Sequence, residues 1–289
     1  MPPAGPWKTL VLTAAALLAF AANSVLCRLA LGARAIDPAA FTLIRLASGA
    51  ALLALLHARR FPPLRFTSSV WQPVLLFSYA VAFSFAYMSL RAGTGALILF
   101  GAVQVTMVLS ALRAGERFRP LEGAGLLLAI GGLVYLVLPG VHAPSLVGAG
   151  LMAAAGASWG LYSLLGRGSK DPGGDTTRNF VLGAPLAFVV AALAHRSLHV
   201  TAHGALLAVV SGALTSGLGY VVWFAALRGL TALRAATVQL AVPALAATGG
   251  VLFLGEQLSP RLVVAGVFIL GGIGLAIAQH TRRRSTAAS

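Results

Sequence analysis

Apolar runs of about twenty residues recur along the chain, broken by short stretches where arginine, proline, glycine and serine gather. A helix needs about twenty apolar residues to cross ~30 Å of hydrocarbon. On that basis the pattern predicts ten spans, near 8–28, 38–57, 70–90, 93–112, 119–138, 146–166, 179–196, 204–226, 231–253 and 260–279. The expected class is all-α: a polytopic membrane protein of ten transmembrane helices. An even number of spans puts both termini on one side.

The runs also repeat. Gly115-Glu116, Pro120 and Gly131-Gly132 return 140 residues later as Gly255-Glu256, Pro260 and Gly271-Gly272. The chain therefore divides into two five-helix units, 1–139 and 140–289, joined by Pro139-Gly140-Val141-His142-Ala143-Pro144, which carries no Lys, Arg, Asp or Glu. Five spans per unit is odd, so the second unit is expected upside down relative to the first. Inverted repeats around a central cavity are the architecture of secondary transporters, in which opposed halves exchange roles to open a site to either side.

Composition agrees with the pattern: 58% of the 289 residues are hydrophobic and 9% are charged, which leaves little for a soluble domain. Of the 21 Lys and Arg, fifteen fall on the side of the termini, from Lys8 through Arg59, Arg60, Arg65, Arg113 and onward to Arg282-Arg283-Arg284. Arg28, Arg34, Arg91, Arg196 and Arg261 fall opposite, and Arg45 lies inside the second span. The positive-inside rule then predicts cytoplasmic termini. The net charge of +15 is spread over short loops, which excludes the concentrated basic surface of a nucleic-acid binder. Membrane lipid is the expected neighbour of the terminal arginine run.

Cys27 is the sole cysteine, so no internal disulfide or thiolate cluster is expected. Lys8 and the following apolar stretch imitate a signal peptide, yet the repeat requires that segment as its first helix. Among the 33 glycines, Gly156/Gly160, Gly212/Ser216 and the matched pairs at 131–132 and 271–272 suit close helix packing. Glu116 and Glu256 each precede a proline-led helix, where the helix dipole favours a carboxylate, and a structural role is expected for both.

The Gly-Glu, Pro and Gly-Gly pattern of each half, Arg45, and Trp159-Gly160-Leu161-Tyr162 resemble the EamA-type transporters of the drug/metabolite transporter superfamily. The resemblance covers nearly the whole chain. Within the superfamily it points toward bacterial exporters of amino acids and related metabolites, the aromatic amino-acid exporters of the YddG type included. There are departures. Phe20-Ala21-Ala22-Asn23-Ser24 stands where many relatives carry a Trp, and Pro243 in the ninth span has no counterpart beside Gln104 and Thr106 in the fourth.

A polar side chain in mid-span is costly unless it faces a cavity or a partner helix. The candidate substrate-binding residues are therefore Asn23, Ser24, Tyr79, Ser84, Tyr87, Gln104, Thr106, Trp159, Tyr162, Tyr220, Trp223 and Gln239, all on spans the family uses for its cavity. The aromatics suit aromatic or amphipathic substrates and organic cations, or else interfacial belts. The amides suit an amino or carboxyl group, or else interhelical bonds. Arg45 is about seven residues into its helix, within reach of the outer interface. Pairing with helix-end carbonyls or Asp37 is the expectation, with a substrate carboxylate as the alternative.

None of the six acids or six histidines falls at mid-span, and no phosphate-binding loop occurs. The reading is a facilitator or exchanger of a small-molecule substrate, an amino acid or related metabolite, without cofactor or metal and not an enzyme. Two other classes stand beside it. A membrane enzyme would need ligands such as His195, His199 and His203, and a passive pore or assembly factor would show no saturable flux.

Overall fold

The computed structural model describes residues 6–58, 70–113, 120–138, 143–167, 169–230, 235 and 238–286. Gly115, Glu116, residues 139–142 of the linker, Arg59, Arg60, Arg65, Arg117, Arg119 and Arg234 lie outside them, as do the side chains of Glu122 and Arg282–Arg284. The described residues are helical, joined by one isolated antiparallel bridge between Ile36 and Val200. The helices are α1 (Pro6–Gly32), α2 (Pro38–Leu56), α3 (Trp71–Ala86), α4 (Ala92–Arg113), α5 (Pro120–Val137), α6 (Leu146–Gly166), α7 (Pro172–Leu193), α8 (Ala202–Leu227), α9 (Ala241–Leu254) and α10 (Pro260–Thr286). Five stretches, in α1, α2, α4, α7 and α8, are long and apolar enough to cross a membrane, and shorter apolar stretches lie in α3, α5, α9 and α10.

Helix starts follow local chemistry. Asp37 accepts from Ala39 N and Ala40 N at 3.0 and 2.9 Å ahead of Pro38, and Asp171 accepts from Gly174 N at 3.1 Å ahead of Pro172. Each proline occupies the first turn, where its missing N–H would have had no partner. Two boundaries differ from the sequence reading. The seventh helix begins at 172 rather than 179, because the Asp171 cap and Pro172 initiate it despite Gly173-Gly174. The eighth begins at Ala202, capped by Thr201, where a loop was expected.

The same cap chemistry occurs at two helix starts. Asp37-Pro38, Thr42, Arg45 and Gly49 recur 134 residues later as Asp171-Pro172, Thr176, Asn179 and Gly183. Both threonines donate to the proline carbonyl four residues back, at 2.7 Å each.

Packing pairs α3 with α6, α1 with α8, α4 with α6, α1 with α9, α2 with α8, α3 with α7, α2 with α7, α4 with α9, and α5 with α10. Glycines make the closest approaches. A Cβ on Gly212 would stand 2.1 Å from the Arg45 carbonyl, and one on Gly156 would stand 2.4 Å from the Leu99 carbonyl. Of the two glycine pairs, Gly132 and Gly272 lie in the α5–α10 contact, whereas Gly131 and Gly271 have nothing within 4 Å. The outer surface is apolar, with Leu127, Leu252, Phe253 and Val267 exposed, and polar side chains lie inside. Lipid-facing surfaces are built in this way.

Candidate functional site

The interior polar groups converge on Arg45. It is 1% exposed and does not pair with Asp37, whose carboxylate is taken by the α2 cap and by His199 N at 3.0 Å. That corrects the expected pairing. Instead Arg45 Nε donates to Ser216 Oγ at 2.9 Å, and Nη2 donates to the hydroxyls of Tyr79 (3.2 Å) and Tyr220 (3.0 Å). Its guanidinium carbon lies 5.1 and 5.0 Å from the ring centres of Tyr79 and Phe83, so the charge is held partly by ring faces.

Asn23 on α1 continues the network. Its amide donates to Tyr79 Oη at 3.4 Å, and its carbonyl accepts from Ser211 (2.7 Å), Thr215 (3.2 Å) and Ser216 (3.4 Å). Three hydroxyls reach one oxygen because α8 widens into a π-helical segment over Ser211–Leu218. The wider turn sets Thr215 and Ser216 both about one turn from Ser211, and such segments are frequent at functional sites. The network thus takes residues from α1, α2, α3 and α8.

An aromatic layer adjoins it. Trp159 on α6 sits 4.6 Å from Tyr220, 5.2 Å from Tyr79, and 5.6 Å from both Phe20 and Tyr162, centre to centre. Phe20 also packs on Trp223 at 5.6 Å. Between these rings lies about 250 Å³ of non-atom space, open solvent included, bounded by Phe20, Ser24, Tyr79, Phe83, Leu99, Phe100, Trp159 and Tyr220. It is too narrow for more than about one water. A second space of about 190 Å³ leads in beside Gln72, Ser169, Asp175, Thr176, Asn179 and Tyr162. There Asn179 donates to Tyr162 Oη at 3.3 Å.

The structure brings Asn23, Ser24, Arg45, Tyr79, Trp159 and Tyr220 together, with Tyr162 and Trp223 alongside. The others lie outside the lining of the ring-bounded space, although the Tyr87 ring packs on Phe83 at 4.8 Å. Ser84 bonds back to Ala80 O at 2.8 Å, and Thr106 bonds to Ala102 O at 2.8 Å and packs on Gly160. Gln104 is buried on α4, and Gln239 donates to Ala235 O at 3.2 Å. Tyr87 ends α3 and donates to Ala92 O at 3.3 Å. The network residues absent from the sequence reading are Phe20, Phe83, Ser211, Thr215 and Asn179, together with the hydroxyl of Ser216, which had been read only as a small packing residue.

Next to Tyr87 a clasp closes one end. Arg28 on α1 donates through Nε to Glu256 at 3.2 Å and through Nη1 to Tyr87 O at 3.1 Å. Glu256 Oε2 in turn accepts from Ala92 N, the first residue of α4, at 2.8 Å. Glu256 therefore does meet a helix N-terminus, but that of α4 rather than of its own following helix. His195, His199 and His203 occupy a 3₁₀ turn, the connecting segment after it and the start of α8. Among the described residues no three His, Cys, Asp or Glu side chains come together as a metal site.

Residues 146–278 match the EamA-like transporter family. The chain is 52% identical over 277 residues to an uncharacterized protein of Pseudomonas aeruginosa, with 96% of each covered. It is 32% identical over 246 residues to the threonine/homoserine exporter RhtA of Escherichia coli, covering 81% of this chain and 80% of that one. A crystal structure of a protein 24% identical shares the fold, with a TM-score of 0.64 over 91% of this chain and 98% of the other.

Proposed function

Because the chain belongs to the EamA-like transporter family of the drug/metabolite transporter superfamily, we propose that it exports neutral amino acids across the bacterial inner membrane by alternating access. The observation that carries this reading is the buried network around Arg45 and Asn23. Polar groups kept at such cost inside a lipid-immersed helix bundle mark a route for polar cargo. The substrate class follows the similarity to a threonine/homoserine exporter.

The architecture we propose is ten transmembrane helices in two inverted five-helix repeats, with both termini cytoplasmic. Two facts support it. Exchanging α1–α5 with α6–α10 maps the packing pairs onto one another: α3–α6 becomes α8–α1, α4–α6 becomes α9–α1, and α2–α8 becomes α7–α3. The Asp-Pro, Thr and Gly positions of α2 return in α7 with the same caps. In this reading the Arg28–Glu256 clasp shuts the outer end, the space beside Asn179 opens inward, and Trp159, Tyr79 and Tyr220 separate the two. Transport follows the substrate gradient, since among the described residues no acid or histidine borders the space between the rings.

The test is flux of L-threonine, L-homoserine and L-phenylalanine from loaded proteoliposomes, with and without a proton gradient, alongside reporter fusions at both termini. Saturable downhill efflux supports the reading. Absence of efflux for all three refutes the substrate class, and strict dependence on the gradient refutes uncoupled transport.

A further inference from the structure

Arg45 is the one described cation that is fully buried, and its neighbours are neutral. The three hydrogen bonds it makes go to hydroxyls of Ser216, Tyr79 and Tyr220. A guanidinium carries five N–H groups, so the two on Nη1 remain, and Nη1 has no hydrogen-bond partner. The acids whose side chains are described are engaged elsewhere: Asp37 and Asp171 at helix caps, Asp175 with Arg178 and Ser169, and Glu256 with Arg28. No described carboxylate stands within ion-pair distance of Arg45.

Two indoles near the central space share this bias, whereas the unpartnered buried oxygens belong to Ser163, Asn179 and Gln239, none of which borders that space. The indole N–H groups of Trp159 and Trp223 are buried without an acceptor, and Trp159 borders the central space together with the two tyrosines that hold Arg45. A buried positive charge and three sets of unmatched N–H donors form a site short of acceptors. Buried polar atoms without partners call for an explanation, and a buried charge is ordinarily paired. The group that answers both is an anion from outside the chain. One guanidinium nitrogen with free N–H groups, carrying a single positive charge, suits one oxygen of a carboxylate monoanion. A phosphate dianion would call for further cations, and none is buried nearby.

We propose that the passage admits only substrates bearing a free carboxylate, bound by Arg45 with the indole N–H of Trp159 beside it, and that organic cations and esterified analogues are rejected. This rests on the export reading above and narrows it. The aromatic lining alone would suit cations, but the uncompensated charge behind Tyr79 and Phe83 opposes them.

Binding to the purified wild-type protein decides the matter without a variant. Intrinsic fluorescence reads Trp159 and Trp223 over the constant signal of the exposed Trp7 and Trp71. L-threonine, L-homoserine and L-phenylalanine are titrated against their methyl esters. At least one acid is expected to bind ten times tighter or more than its ester. Arg45→Gln is expected to abolish that preference, with Arg45→Lys retaining part of it. Equal affinity for acid and ester, or binding of neither in all three pairs, overturns the proposal. Failure of export is a separate result: an acid-selective site with no efflux from proteoliposomes would sink the export reading and leave the carboxylate site standing.

Discussion

Replacing Glu256 by Gln removes the charge from the clasp while keeping its shape. Glu256 serves two donors from opposite directions, Arg28 Nε at 3.2 Å and Ala92 N at 2.8 Å. A glutamine has one oxygen, so its amide must face one of those donors with another donor. Two unit charges 3.2 Å apart attract by about 5 kcal/mol at an effective dielectric near 20. Desolvation takes back most of this, since the side chains are only 24% and 13% exposed. Charge-assisted hydrogen bonds contribute about 1.5–3 kcal/mol net, so a loss of about 2 kcal/mol is expected. If the clasp holds the closed state, that loss raises the open population roughly thirtyfold. The chain supplies its own reporter: Cys27, its sole cysteine, precedes Arg28 and is fully buried. In intact cells a membrane-impermeant maleimide is expected to modify Cys27 slowly in the wild type. In the Glu256→Gln variant it is expected to do so at least tenfold faster, at a melting temperature within a few degrees of wild type. A rate within twofold of wild type would show that the clasp does not hold the outer end shut.

Two further outcomes follow from the packing and the caps. Gly212→Ala sets a Cβ against the Arg45 carbonyl and Ser48 Oγ, at 2.1 and 2.2 Å, and so is expected to lower stability by about 3 kcal/mol or more. Gly271→Ala, with open space around it, is expected to cost nothing, and thermal unfolding of the two variants in detergent checks the contrast. Asp171→Ala removes the α7 cap at an expected cost of about 1 kcal/mol, whereas Asp37→Ala also frees His199 N and costs more; denaturation by the same method ranks them.

How much of this was legible beforehand depends on what each residue signals. Asn23, Arg45, Tyr79, Trp159 and Tyr220 announce themselves, because a polar or amphipathic side chain in an apolar run needs a reason. Phe20 and Phe83 carry no such signal in a chain with 14 phenylalanines. Ser211 and Thr215 were passed over because their convergence on Asn23 depends on the π-helical turn, and a 3.6-residue period does not place Ser216 with them. Asn179 stands at the mouth of the expected seventh span, 179–196, which leaves Gly173-Gly174 outside the helix. The echo of Asp37-Pro38 and Thr42 at Asp171-Pro172 and Thr176 was the available clue, and it places Asn179 a full two turns inside. Gln104 and Thr106 are the converse case. Polarity in mid-span marked them, yet the space between the rings is bordered on α4 by Leu99 and Phe100.

That echo ends in a mismatch with a consequence of its own. Where α2 has Arg45, the corresponding turn of α7 has Asn179, a neutral amide whose oxygen lacks a partner. Two helices that start alike thus carry unlike heads, and the electric field inside the molecule leans to one side. Cargo drawn by that field would anchor on the α2 side during every cycle, leaving the α7 side as the moving jaw. However alike the two halves are in outline, their division of labour would be fixed by one side chain.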